Sequence, residues 1–595
     1  MDNYKNGYIG IDLGTTNSCI ATSWYTNQGK VEIEVLEIAQ RGVSGDINKD
    51  KILPSYIYVQ KDGNLLVGSG AKELDNKTRS LTGENRALRV FKRDMGKEGA
   101  IYQIGSQSFT PVDASAIILE ECGKAYNTFR KNRDRLTFNQ TPTTITCPAC
   151  FEKDAKEDTQ RAAKSAGFPL ENVRMLAEPN SALLYYVYHE TDGGFLDLSA
   201  SKRFITIDLG GGTCDVVIID VREEKLESGK RNLIFRPVGT PNRGDLGGSD
   251  FDKAVAHAFL TYFLGENHID LDPSSKDYER LLNMLFPLAE KAKESLSNQL
   301  TYKIETDLEG RTIRDKDFID ETIKSLDLYQ VHYPNLYNGL DFDYELSLEE
   351  YLEIVDRFIT RKSEKYTTVE EKIASKNLEE IILDTMKDCD CLASDIDYIF
   401  FTGGMSYFIP LQIKLCELLG KDEIKLPDHP MTAVAEGAAL HTLFKEAELY
   451  NRELPMVTTE DYHLSTNKVE KAIRDTKQTI SMPTSIGKTY MIEKKDQIPY
   501  VLIEKNKEYP IPRTRINDEF KITNGNGIII NIFIGTSQYN SDIEKARSAE
   551  LRFDEPKEVG TSFFIDYEIN ESGSPIFYIV FGENEEYKIG GVENE

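Results

Sequence analysis

Phe204-Ile205-Thr206-Ile207-Asp208-Leu209-Gly210-Gly211-Gly212-Thr213 is the stretch that decides the fold of this chain. An apolar run ends in Asp-Leu-Gly, passes through small and hydroxyl residues, and resumes as a second apolar run, Val216–Ile219. A strand, a tight turn and a strand in this order predict a hairpin. The same arrangement stands near the N-terminus as Tyr8-Ile9-Gly10-Ile11-Asp12-Leu13-Gly14-Thr15-Thr16, followed by Cys19-Ile20-Ala21. Two copies about 200 residues apart are too few and too distant for a solenoid. They predict two similar lobes facing each other.

The turns suit phosphate. Glycine permits close approach of the backbone and positive φ, and turn amides can then point at phosphate oxygens. Asp12 and Asp208, each at a strand end beside such a turn, are suited to hold Mg²⁺ directly or through its waters. A lone Asp-Leu-Gly hairpin is as often an ordinary β-turn. Two at matching offsets instead predict a clamp on a triphosphate, and positioning plus charge stabilisation is most of what phosphoryl transfer requires. Gly487-Lys488-Thr489 imitates the end of the commoner phosphate loop, but position 482 is Met where that loop needs glycine, so it is a decoy.

Outward from the hairpins the pattern is mixed α/β. Helices are predicted at Ile117–Lys131, Ala155–Gly167, Phe251–Leu264, Arg280–Ser297, Leu348–Ile359 and from Thr432 to about Glu448. Strands are predicted at Thr143–Thr146 and Tyr398–Phe401. The expected organisation is an ATPase-type region over 1–449, a polar linker over 450–478, and a small all-β sandwich over 479–595. The sandwich is built from short runs such as Tyr500–Ile503, Ile528–Ile534, Phe563–Ile569 and Ile576–Phe581, with turns at Asn524-Gly525 and Glu571-Ser572-Gly573.

Bulk composition excludes several function classes. Lys and Arg number 71 against 99 Asp and Glu, a net charge of −28, so there is no basic surplus for nucleic acid or an anionic membrane. No stretch reaches the ~18 apolar residues of a membrane span, and a cytoplasmic location is expected. The 8 cysteines do not form a disulfide framework. Cys147-Pro148-Ala149-Cys150 has metal spacing but no second pair, so these thiols are expected to be structural.

Five segments together carry a resemblance. They are Ile9–Thr16; Phe204–Asp215; Ile145-Thr146-Cys147-Pro148-Ala149-Cys150-Phe151; Leu176-Ala177-Glu178-Pro179-Asn180-Ser181-Ala182; and Gly403-Gly404 with Ile409-Pro410 and Ala433–Ala439. In this order they resemble the 70-kDa heat-shock protein chaperones, closely over 7–445 and more loosely over 479–582. The resemblance implies an actin-like (ribonuclease H-like) two-lobed ATPase domain followed by a peptide-binding β-sandwich. It implies ATP or ADP with Mg²⁺, and K⁺ as a further ion.

The resemblance also implies roles. Lys92 would polarise the γ-phosphate. Glu178 and Asp208 would position the attacking water and the hydrated metal, and Thr213 would contact phosphate. Asp12 and Asp208 are the implied metal residues. Gly14, Thr15, Thr16, Asn17, Gly210, Gly211, Gly212, Gly247 and Gly248 would surround the phosphates. Glu290, Lys293 and Ser297, on one helix face, with Gly403, Gly404 and Met405, would hold the nucleoside. Implied partners are unfolded or extended polypeptide, a J-domain co-chaperone and a nucleotide-exchange factor, with neither nucleic acid nor membrane.

The chain also departs from the family. Glu294 and either Tyr407 or Phe408 replace an adenine-stacking pair of arginines, and Met431 stands where an acid is usual. The family's leucine-rich linker is not visible, and its helical lid is not expected after the β-rich region. A sugar-type kinase and an actin-like scaffold are the alternatives on the same fold.

Overall fold

The structure is a computed structural model that describes residues 7–589 except 27–29, 83–85, 132–135, 152, 227–229, 308–314, 361–376, 454–477, 483, 486–488, 493–499, 505–506, 510, 517, 536–543, 554, 570–574 and 583–584. The expected turn at 571–573 and most of the expected linker lie outside the described residues.

Both predicted hairpins form, and each seeds a sheet of the same topology. In the first lobe Tyr8–Asp12 pairs antiparallel with Asn17–Tyr25, which pairs with Val31–Val35. On its other side Tyr8–Asp12 runs parallel to Thr143–Cys147, which runs parallel to Val173–Ala177. In the second lobe Lys202–Leu209 pairs with Cys214–Lys225, and that strand with Arg231–Gly244. Lys202–Leu209 runs parallel to Tyr398–Thr402, which runs parallel to Ile424–Lys425. Counting these five strands from each lobe's start, both sets read 5-4-1-2-3.

The central strands are near-continuous apolar runs because helices cover both faces: Tyr8, Ile9 and Ile11, like Phe204, Ile205, Ile207 and Leu209, are buried. Pro111–Arg130 shows how the sequence sets a helix start. Thr110 and Asp113 form a reciprocal capping box, and Pro111 takes the first turn, where its missing N–H costs nothing.

The lobes are joined by an exchange of helices. Glu178–Asp192, which leaves the first sheet, packs on the second: the rings of Tyr186 and Phe400 lie 5.1 Å apart. Ala433–Glu453, which leaves the second sheet, packs on the first: Thr442 Oγ1 donates to Ile9 O at 2.9 Å and Ser23 Oγ to Ala439 O at 2.8 Å. The two helices cross where Ser181 Oγ donates to Val434 O at 2.7 Å. Gly437 is required there, because a Cβ on it would stand 1.8 Å from Ser181 O.

Two features differ from expectation. Tyr329–Tyr337 and Leu340–Leu346, in an acidic, tyrosine-rich stretch for which no element was predicted, form a hairpin that packs on the long helix Lys276–Asp307. Gln478–Ser481, expected at the junction of linker and sandwich, instead adds a sixth strand to the second lobe, parallel to Arg231–Ile234. Ile480 and Met482 are buried in that lobe's core, and Thr479 Oγ1 donates to Asn232 Oδ1 at 2.9 Å.

Beyond Ser481 the strands form two main sheets. One orders Tyr500–Ile503, Thr489–Ile492, Gly527–Gly535 and Glu544–Arg552. The other orders Ile511–Arg515, Ser562–Ile569, Pro575–Phe581 and Glu585–Ile589. Ile492, Ile503 and Ile532 of the first share a core with Ile565, Ile579 and Phe581 of the second.

Candidate nucleotide site

The two glycine-threonine turns meet. A Cβ on Gly211 would stand 2.1 Å from Thr16 Oγ1, and one on Gly212 3.0 Å from Thr15 Cγ2. The first turn is held from behind: Gly14 N donates to Ser18 Oγ at 3.1 Å, and Ser55 Oγ donates to Gly14 O at 2.8 Å. Asn17 begins the returning strand and pairs with Pro54. The second turn closes on itself, with Gly210 N donating to Thr213 O at 3.0 Å. It then receives the start of the helix Gly248–Glu266: Gly248 N donates to Gly210 O at 3.0 Å and Ser249 N to Gly211 O at 2.8 Å. Gly247 precedes that helix, and its N–H donates to Asp250 Oδ2 at 2.8 Å.

Beneath the turns lies a buried charged centre. Asp12 ends the first central strand and accepts a hydrogen bond from Thr146 Oγ1 at 3.2 Å. Asp208, next to last in the other central strand, is flanked by Asp215 and Thr402. Glu178 opens its helix, and Lys92 forms an ion pair with it; both are buried.

The electrostatics follow from burial. Desolvation, then the nearby Glu178 charge, push the Asp12 carboxyl up to about 7, while Lys92 and the Thr146 hydroxyl hold it back. Asp208 is driven well above the carboxylate range by burial, then by Glu178, Asp215 and Asp12. Burial favours the neutral amine at Lys92, but Glu178 and Asp12 outweigh it and raise the ammonium pKa. Two buried acids, Glu178 and Asp215, and two half-buried ones, Asp12 and Asp208, gather around one lysine, and a bound divalent cation would favour their ionised forms. Among the described residues no three His, Cys, Asp or Glu form a ready-made metal cage, Cys147 and Cys150 included.

The residues expected at the nucleoside end gather separately. A Cβ on Gly248 would stand 3.1 Å from Met405 Sδ and 3.2 Å from Lys293 Nζ. Lys293 is fixed by Asp252 Oδ2 at 2.7 Å and Gly248 O at 3.4 Å. Gly403, at φ 85°, opens the short turn Gly404–Tyr407, and Met431 Sδ would lie 3.4 Å from a Cβ on Gly404. Glu290 instead bridges the lobes through an ion pair with Lys72 at 2.8 Å, while Ser297 is half-buried on the same helix. Of the two aromatic candidates, Phe408 belongs to the core against Tyr351, with rings 5.8 Å apart, whereas Tyr407 is 50% exposed. Glu294 faces an open groove with Lys291, Asn298 and Tyr302.

Arg93 was missed in the sequence. It reaches from beside Lys92 to the second lobe, where its guanidinium lies 3.6 Å from Asp250 and would meet a Cβ on Gly212 at 3.0 Å. Its adjacency to Lys92 was the one available signal.

Two lobes of one topology, closing glycine turns over buried carboxylates and a lysine, define the class as an actin-like two-lobed ATPase fold. Residues 8–331 match the family model described as Hsp70 protein, and the chain belongs to that family. It is similar to chaperone protein DnaK of Thermosipho africanus, at 28% identity over 75% of this chain and 60% of that protein. DnaK of Thermotoga neapolitana is 28% identical over 74% and 60%, and DnaK of Endomicrobium trichonymphae is 33% identical over 50% and 41%. The chain therefore spans no more than about three fifths of the curated relatives it matches. Among the described residues no helix is long and apolar enough to cross a membrane.

Proposed function

We propose that this chain is an ATP-dependent chaperone: it binds ATP with Mg²⁺ between the two turns, hydrolyses it, and uses the nucleotide state to control binding of unfolded polypeptide segments. The observation that carries this is the meeting of the Asp12 and Asp208 turns over the Lys92–Glu178 pair. Asp12 and Asp208 would hold the ion, sharing it with phosphate oxygens or water, and the ion would neutralise charge developing on the phosphates. Lys92 would bring its ammonium to the terminal phosphate, and Glu178 would orient the attacking water. Thr15, Thr16, Thr213 and the glycines of both turns would supply close donors. Lys293, Gly248, Gly403, Gly404 and Met405 would hold the nucleoside, with K⁺ as a second ion.

The two-sheet region after Ser481 is read as the peptide-binding β-sandwich, since extended peptides are gripped through strand-like main-chain bonds without fixed sequence. Residues 1–449 would be the ATPase domain, 450–478 the linker and 479–595 the sandwich. A J-domain co-chaperone, an exchange factor and the cytoplasm complete the proposal.

The test is steady-state ATP hydrolysis with and without an unfolded polypeptide, beside a panel of sugars. Stimulation by the polypeptide supports the reading. ADP release that depends on a sugar would replace it with a kinase, and sedimenting polymer with little turnover would replace it with a scaffold.

A further inference from the structure

Among the described residues five non-glycines have positive φ: Val90, His268, Asn335, Asn338 and Asp390. Four are Asn, Asp or His, side chains that tolerate the left-handed region. Val90 is β-branched and sits at φ 60°, ψ 12°, where a branched Cβ crowds the backbone. Its side chain is only half-buried, so burial does not explain the conformation.

Its neighbours do. Leu88, two residues before, is fixed in a strand opposite Ile57, and Phe91, one residue after, is 1% exposed in the first lobe's core. The chain must reverse between these anchors. Arg93 N then donates to Val90 O at 3.1 Å, closing a single short helical turn. Within it Phe91 points into the core, Lys92 meets Glu178, and Arg93 reaches Asp250 of the other lobe. A φ near −60° at position 90 would redirect all three.

We infer that Val90 is a positioning residue whose left-handed kink aims Lys92 at Glu178 and the phosphate cleft. The inference rests on the proposed role of Lys92. A strained conformer kept at a half-exposed position is the kind of outlier that points to a functional demand.

The test uses the full chain with ADP binding by calorimetry and ATP turnover for Val90→Pro, Val90→Asn, Lys92→Ala and Val90→Pro/Lys92→Ala. Proline excludes positive φ, so Val90→Pro should melt lower, because Phe91 and Arg93 move with Lys92, and its folded fraction should bind ADP as the wild type does but with kcat lowered about 100-fold. Combined with Lys92→Ala it should cost nothing further, because both act through one group. Asparagine tolerates the kink, so Val90→Asn should turn over at the wild-type rate and melt no lower. Loss of ADP affinity in Val90→Pro would show a merely structural role. A Val90→Asn as slow as Val90→Pro would assign the effect to the side chain, and full additivity with Lys92→Ala would separate the two residues; each result overturns the inference. Lys92→Ala at the wild-type rate would overturn the proposed role of Lys92, and the inference with it.

Discussion

At the scale of single residues, the site is a problem in uncompensated charge. Asp208 is half-buried and feels the charges of Glu178, Asp215 and Asp12, with Lys92 the cation that counters them. Asp208→Ala should abolish hydrolysis while slightly raising thermal stability, since it removes an acid held against desolvation. A variant that still turns over ATP would remove Asp208 from the reaction.

His441 titrates in a different setting. It lies buried in the helix Ala433–Glu453, 3.1 Å from Thr144 Oγ1, and desolvation, with Lys445 and Arg174 nearby, pulls its pKa down to about 3. The unfolded chain takes a proton there below about 6.5, and the folded chain does not. This share of stability is therefore complete above pH 6.5 and is lost at about 1.4 kcal/mol per pH unit as pH falls toward 3. Melting temperature against pH should fall less steeply below 6.5 in His441→Asn than in the wild type, and parallel curves would rule this out.

Aspartates at strand ends beside glycine turns were legible in the sequence because their chemistry is local. Arg93 and Val90 were not. What makes them matter is a neighbour brought from far away in one case and a backbone angle in the other.

At the scale of elements, packing decides. Gly437→Ala puts a methyl against the Ser181 carbonyl, a backbone group that cannot swing aside. The cost should be about 3 kcal/mol, at the upper end of overpacking, read as a lower melting temperature; an unchanged melt would mean the two helices slide apart freely. Ile480→Ala should cost about 2 kcal/mol. It should also speed hydrogen exchange of the amides that join Gln478–Ser481 to Arg231–Ile234, local opening being the usual first loss. Unaltered exchange there would mean the strand is held by its backbone alone.

This strand was hidden because Gln478-Thr479-Ile480-Ser481 is too short and polar to read as an element by itself. Its partner strand Arg231–Ile234, far upstream, and the core that buries Ile480 make it one. Leu348–Ile359, by contrast, was read to the residue, since Ser347 caps it and its apolar face repeats at helical spacing. The tyrosine-rich hairpin before it went unread because Asn338-Gly339 turns a pattern whose strands alternate weakly.

At the scale of the whole molecule, the duplication was readable from two motifs, and the 5-4-1-2-3 order shared by five strands of each sheet bears it out. The exchange of helices between lobes was not, because nothing local to Ala433–Glu453 says which sheet it will cover. A ligand seated between the lobes should stabilise them together: ADP with Mg²⁺ at 100 times its Kd should add about 2.7 kcal/mol. Differential scanning calorimetry should show one nucleotide-dependent transition, and ADP that leaves the melt unmoved would contradict a site between the lobes.

The helix Ala433–Glu453 has one more consequence, for the order of biosynthesis. Ile9 and Gly10 are covered by Ala439 and Thr442, made more than 400 residues later. At ordinary elongation rates of ~5–20 residues per second, the N-terminal strand waits about 20–90 s for its cover. The nascent first lobe thus spends that interval with an apolar sheet face open to solvent, a client-like state in its own right.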